Sequence, residues 1–298
     1  MTTTISLASV TRRYRGHLAL DDVTLDVQGP TITGLLGRNG AGKTTLMRII
    51  AAQQFPTAGQ VLVLGASPVE NDAILRRMVF VREDQVFPDI RVRDALRMAQ
   101  GFYPNWNAEL AEDLVAEFDL PARRPVKRLS RGMRSALSIV IGLAARTEVV
   151  LFDEPYAGLD AVARQVFYDR LLLDYAEHPR TFLLSTHLVD EVAGLLDQVL
   201  IINRGRVVLN AAADELRGRY TSVSGPAAAV AELVAGRPTW ERRKVASQEA
   251  VVLAEPLNEA DRLRAQELHL RMEPLSLQQM LVAVSGRAAE DALERTNA

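Results

Sequence analysis

The chain contains no cysteine. Disulfides, thiolate metal sites and cysteine nucleophiles are therefore excluded together. It also lacks any apolar run near the roughly 20 residues that a membrane-spanning helix needs, since stretches such as Leu137 to Ala145 fall far short. The opening MTTTISLASVTRRYRG has no basic patch followed by an apolar segment, so no secretory signal is expected. Neither sign of charge dominates: the net charge is -2, which creates no global field for nucleic acid or an acidic membrane surface. A cytoplasmic chain is expected, without a nucleic-acid partner and with membrane contact only through another protein. The 48% hydrophobic and 24% charged residues suffice for a real core. A length of 298 residues suggests two unequal domains.

What is present is an alternation of strand and helix patterns. ISLASV, LALDDVTLDV and TITGLLG read as strands, KTTLMRIIAA as a helix, and GQVLVLG as a strand that completes a βαβ unit. MVFVRE is a further short strand. From Arg91 to Arg146 the pattern turns helical, with Pro104, Pro121 and Pro125 in the gaps. Alternation then resumes through EVVLFDEP, DAVARQVFYDRLLLDYAEH, TFLLST, LVDEVAGLLD and QVLIINRG. An α/β fold is expected, with a parallel sheet covered by helices and a helical block inserted over about 91–146. After Tyr220 the order strand, helix, strand, strand, helix, strand suggests a small α+β domain of ferredoxin-like kind over 221–298, closed by the helix SLQQMLVAVSG. The tail GRAAEDALERTNA is expected to be exposed.

The chemistry is concentrated in a few short stretches. Gly37-Arg38-Asn39-Gly40-Ala41-Gly42-Lys43-Thr44, followed by Thr45, matches the pattern G-x-x-x-x-G-K-[ST]. Glycines let the backbone curl so that successive N–H groups face a phosphate, and the helix that follows adds its positive end. Lys43 then bridges the outer phosphates, and Thr44 offers a hydroxyl to Mg²⁺. The apolar strand VVLF ends in Asp153 and Glu154. At the carboxyl end of a parallel strand, Asp153 can reach a metal and Glu154 a water beside the γ-phosphate, as general base or water-orienting group. His187 ends the next strand and reaches the same sheet edge. Ser130 has the character of a helix N-cap, and with Gly132 and the helix start it offers a second phosphate site.

In this order and at these separations, GRNGAGKTT, LSRGM, VVLFDEP, AGLDA and STH resemble the Walker A, signature, Walker B, D-loop and switch-histidine motifs of the ATP-binding cassette family. The resemblance covers about residues 3 to 218 and implies a P-loop ATPase cassette over 1–220, with ATP and Mg²⁺ as ligands. It implies that two cassettes dimerise head to tail, as a homodimer or with a related subunit. Ser130, Arg131, Gly132 and Met133 of one subunit would then meet ATP held by the other, and Asp160 would cross the interface. It places Tyr14 against the adenine ring. It also implies a separate transmembrane permease, bound at the inner face of the cell membrane through the helical block, where Phe87, Phe102, Tyr103 and Trp106 line a groove or pack in the core. Two positions depart from the family pattern. Arg131-Gly132-Met133 stands where Gly-Gly-Gln is usual, as in some bacterial exporter cassettes. The lid glutamine falls on Arg82 or Glu83, the nearest glutamine being Gln85. The implied function is the ATPase subunit of an exporter; the alternatives are a soluble cassette protein and a regulatory cassette with weak hydrolysis. The 221–298 domain is expected to support the dimer or regulation, or to cover an edge strand.

Overall fold

The computed structural model describes residues 2–216 and 218–284. β1 (Thr2–Tyr14) and β2 (His17–Gly29) form a long hairpin whose residues alternate between buried and exposed. β3 (Thr31–Leu36) is buried throughout and feeds the glycine loop and α1 (Lys43–Ile50). β4 (Ala58–Val63), the short α2 (Asp72–Leu75) and β5 (Met78–Arg82) follow. The helical block holds α3 (Val92–Phe102), α4 (Ala108–Glu117) and α5 (Arg131–Ala144). Then come β6 (Val149–Asp153), α6 (Ala161–Glu177), β7 (Thr181–Thr186), α7 (Val189–Val192), β8 (Gln198–Asn203), β9 (Arg206–Ala212) and α8 (Ala213–Leu216).

The main sheet has the order β5-β6-β7-β3-β8-β9, parallel except for β9. Its central strands are buried on both faces, as a covered parallel sheet requires. Period-two alternation sends Val150 and Phe152 of β6 to one core with α5 and α6, and Val149 and Leu151 to another with α1 and the hairpin. The expected βαβ unit is corrected here. β4 leaves the parallel sheet and pairs antiparallel with β1, giving a second sheet of order β2-β1-β4. Its one-sided burial suits a sheet covered on one face only. β9 was not foreseen. It turns back from β8 through Arg204 and Gly205, both with positive φ, the backbone of a tight hairpin.

Two buried charges and a partly buried third tie the helical layer to the sheet. Asp174 of α6 pairs with Arg180 and lies 3.2 Å from Arg146, which follows α5. Burial raises the Asp174 pKa and lowers that of Arg180 to about 10, against the pull of the opposite charges. Among the four aromatics of the helical side, Phe87, Tyr103 and Trp106 pack partly buried against the main core, whereas Phe102 is 46% exposed.

Beyond Tyr220 a four-stranded antiparallel sheet forms from β10 (Thr221–Pro226), β11 (Thr239–Val245), β12 (Gln248–Leu253) and β13 (Arg271–Pro274), in the order β11-β12-β10-β13. α9 (Ala227–Leu233) and α10 (Glu259–Glu267) cover one face, enclosing Val223, Val230, Val251, Leu253 and Ala265. This is the split βαβ arrangement of a ferredoxin-like sandwich. A helix over residues 277–284 then returns to the first unit, where Leu277, Met280, Leu281 and Val284 join the main core. The tail GRAAEDALERTNA lies outside the described residues.

Candidate active site

The register of the main sheet sets Leu36 beside Thr186 and Asp153 beside Ser185, so the ends of β3, β6 and β7 form one edge. A cleft of about 690 Å³ opens there. β3 runs into the glycine loop, where Gly42 takes a φ of 113°, a value that side chains resist. A Cβ at Gly42 would also lie 2.7 Å from the Ala19 carbonyl oxygen. Conformation and space both demand glycine. α1 starts directly after it with no side-chain cap, and residues 39–45 line the cleft. Its first amide groups and positive dipole end therefore lack an anionic partner within the helix.

Lys43 is 7% exposed and donates from Nζ to Gly37 O at 2.8 Å. Burial holds its pKa below the usual lysine value, opposed by the carboxylates of Glu154 and Asp153. Asp153 is buried and accepts from Ser185 Oγ at 2.6 Å. Glu154 follows with a φ of 49°, a left-handed backbone uncommon outside glycine. Its amide lies 3.2 Å from Ser185 Oγ. Its Oε2 lies 2.6 Å from His187 Nδ1 and accepts from the Tyr156 hydroxyl at 2.9 Å. At the mouth, Tyr14 donates to Gln54 Oε1 at 2.7 Å, and the Arg12 guanidinium lies 4.7 Å from its ring centre.

The signature segment opens α5. Ser130 caps it by accepting from the Met133 amide at 3.1 Å. A Cβ at Gly132 would meet Gly158 O at 2.4 Å, so glycine is what lets this helix start touch the segment before Asp160. Asp160 in turn caps α6, accepting from the Ala163 amide at 2.8 Å. Arg131 reaches the wall of its own chain's cleft and pairs there with Glu83. Of the lid candidates, Glu83 alone lines this cleft; Arg82 faces Asp84 at 3.6 Å, and Gln85 lies off it.

Comparison with known proteins fits this geometry. The family model described as "ABC transporter" matches residues 20–157. Over 224 residues the chain is 31% identical to the Nod factor export ATP-binding protein I of Cupriavidus metallidurans, covering 72% of this chain and 73% of that one. It is 32% identical over 234 residues to the aliphatic sulfonates import ATP-binding protein SsuB 1 of Rhodococcus jostii, covering 78% and 92%. A solved structure of an ATP-binding subunit of an ABC transporter overlays with a TM-score of 0.66 at 25% identity, covering 72% of this chain and 92% of that one.

The chain belongs to the ABC transporter family. It is an ATP-binding subunit with the cassette fold and the ATPase activity of that family. No helix among the described residues is long and apolar enough to cross a membrane.

In this ABC subunit the fold brings Tyr14, residues 39–45, Glu83, Arg131, Glu154 and His187 to one cleft. Ser130, Gly132, Met133 and Asp160 do not line it. Sequence reasoning missed His17, Tyr156 and Arg164, which do. Tyr156 carried a signal, lying two residues after Glu154 in a segment already singled out at both ends. His17 and Arg164 sit at the start of β2 and on a helix face, where nothing local marks them.

Proposed function

We propose that this subunit hydrolyses ATP within a head-to-tail pair of cassettes, homodimeric or with a related subunit, and so powers a separate transmembrane permease, working in export. The observation that carries the pairing is the position of Ser130. It is exposed at the tip of a 14-residue helix yet, unlike its neighbour Arg131, does not line its own chain's cleft, which leaves Ser130 free to close a second subunit's nucleotide. Export is favoured by the LSRGM signature and by relatives such as the Nod factor export protein. The subunit would sit in the cytoplasm, on the inner face of the membrane, held there by the permease. We place the boundary between the cassette and its accessory domain near residue 220. The accessory domain would serve dimer contact or regulation.

The cleft fits magnesium-bound ATP. An uncapped helix start and a buried lysine suit the phosphates. Among the described residues no group of three or more His, Asp or Glu side chains could hold a metal unaided. Thr44 and Asp153 would hold Mg²⁺ jointly with phosphate oxygens, as that ion prefers. When bound, the ion neutralises charge on the phosphates. Lys43 binds the outer phosphates and gives up its bond to Gly37 O. Glu154 orients a water for attack on the terminal phosphorus and takes its proton as the bond to the ADP oxygen breaks. Its Oε1, which takes no hydrogen bond from the described residues, is the free acceptor. His187 holds Oε2.

Lys43→Ala should abolish tight ATP binding. Glu154→Gln should bind ATP and accumulate as a closed dimer in light scattering, with hydrolysis reduced to a trace. Turnover at the parental rate would refute Glu154 as base, and a monomer at saturating ATP would refute the pairing. Co-purification with a polytopic permease checks the transport role.

A further inference from the structure

Tyr156 lies outside the phosphate loop and carries no role in the reading above. It is 2% exposed, and its ring sits edge-on to Tyr168 at 6.4 Å and tilted toward the His187 ring at 6.2 Å. Its hydroxyl bonds two partners, Glu154 Oε2 at 2.9 Å and Thr186 Oγ1. A phenol has one proton, and an ionised carboxylate can only accept. The phenol proton therefore goes to Glu154, and the Thr186 hydroxyl donates to the phenol oxygen. Thr186 Oγ1 accepts in turn from the Leu188 amide at 2.8 Å. The result is one directed chain from the Leu188 amide through Thr186 and Tyr156 into Glu154. Burial, reinforced by the charge of Glu154, raises the phenol pKa, so the donor keeps its proton.

Glu154 needs such a hold. Its backbone is left-handed and its side chain lies at the cleft wall, where a carboxylate without fixed donors would swing into water. We infer that Tyr156 is a positioning residue for hydrolysis: with His187 it pins Oε2 of Glu154, and so aims Oε1 at the attacking water. His187 is exposed, whereas Tyr156, also on the cleft wall, reaches Glu154 with its ring almost wholly buried.

This inference rests on Glu154 as base, and the test separates the two. Steady-state ATPase is measured against ATP concentration on the full chain as Tyr156→Phe, Thr186→Val and Glu154→Gln, with ATP affinity from titration of a fluorescent ATP analogue. Tyr156→Phe keeps the ring and removes only the donor. Its kcat should fall about tenfold or more, as misplacement of a reacting group does, while affinity for the analogue stays within about twofold. Thr186→Val leaves Tyr156 whole but unaligned and should lower kcat by a smaller factor, also at constant affinity; it carries the test if the phenylalanine variant folds poorly. An unchanged kcat in both variants overturns the inference. So does a loss of affinity that matches the loss of kcat, because the hydroxyl would then organise the nucleotide pocket rather than the base. Should Glu154→Gln retain full turnover, the base assignment itself fails, a result distinct from any behaviour of Tyr156.

Discussion

Arg131, the first residue of α5, and Glu83, one of the lid candidates, form an ion pair on the wall of one cleft. A positive charge at the start of α5 thus meets a negative charge just after β5. Both side chains are about half exposed or more, at 62% and 45%, so the pair contributes modestly to stability. Its consequence is local: it sets an opposite charge beside a carboxylate on the cleft wall.

Arg131→Ala should therefore weaken ATP binding about three- to fivefold, the ratio that corresponds to an exposed pair of up to ~1 kcal/mol. Adding Glu83→Gln should restore affinity to within about twofold of the parent. Titration of the isolated chain with a fluorescent ATP analogue reads both changes. If the second substitution restores nothing, Arg131 acts on the nucleotide independently of Glu83.

Arg131 stood out in the sequence, and Glu83 did so only as an alternative to Arg82; their meeting was not legible. Pairing across the 48 positions that separate residues 83 and 131 depends on how α5 packs against β5, which local patterns do not encode. The phosphate loop, the carboxylate pair and the buried strands were readable because each is dictated by its own few residues. β4 was misplaced because a short apolar strand suits either a parallel or an antiparallel neighbour, and one-sided burial appears only after folding. The helix expected from Leu188 to Asp197 shrank to Val189–Val192. Asp197 left it to accept from the Ile32 amide at 2.8 Å, a sheet-edge contact 165 residues distant.

Asp174 stands between two arginines with almost no exposure, its side chain at 2%. Removing it leaves one buried and one partly buried guanidinium group without their counter-charge. Asp174→Ala should cost about 3–5 kcal/mol, read as a thermal midpoint lower by roughly 2–4 °C per kcal/mol. The nucleotide cleft is lined by other residues, so analogue affinity below the midpoint should hold. A midpoint within a degree of the parent would mean that the cluster is not buried in solution.

Acid should loosen the molecule through Glu117 and Glu148. Hydrogen bonds from Arg170 and Arg77 hold their pKa values below the ordinary 4.5. A depressed carboxylate binds fewer protons folded than unfolded, so its stabilisation is present above about pH 4.5 and is lost as pH falls through the folded value. Thermal midpoints followed downward from pH 6 should decline below pH 4.5. Arg170→Met combined with Arg77→Met should flatten that decline. An equal slope in the variant would assign the acid sensitivity to other groups.

The helix over residues 277–284 fastens the accessory sheet to the cassette at a second border. A chain cut at residue 220 would lose the side chains of Leu277, Met280, Leu281 and Val284 as plugs, leaving wet hydrocarbon in the seat they fill. Aggregation of that fragment would then masquerade as a regulatory defect. Clean surgery on the accessory sheet excises 221–274 and splices the plug back.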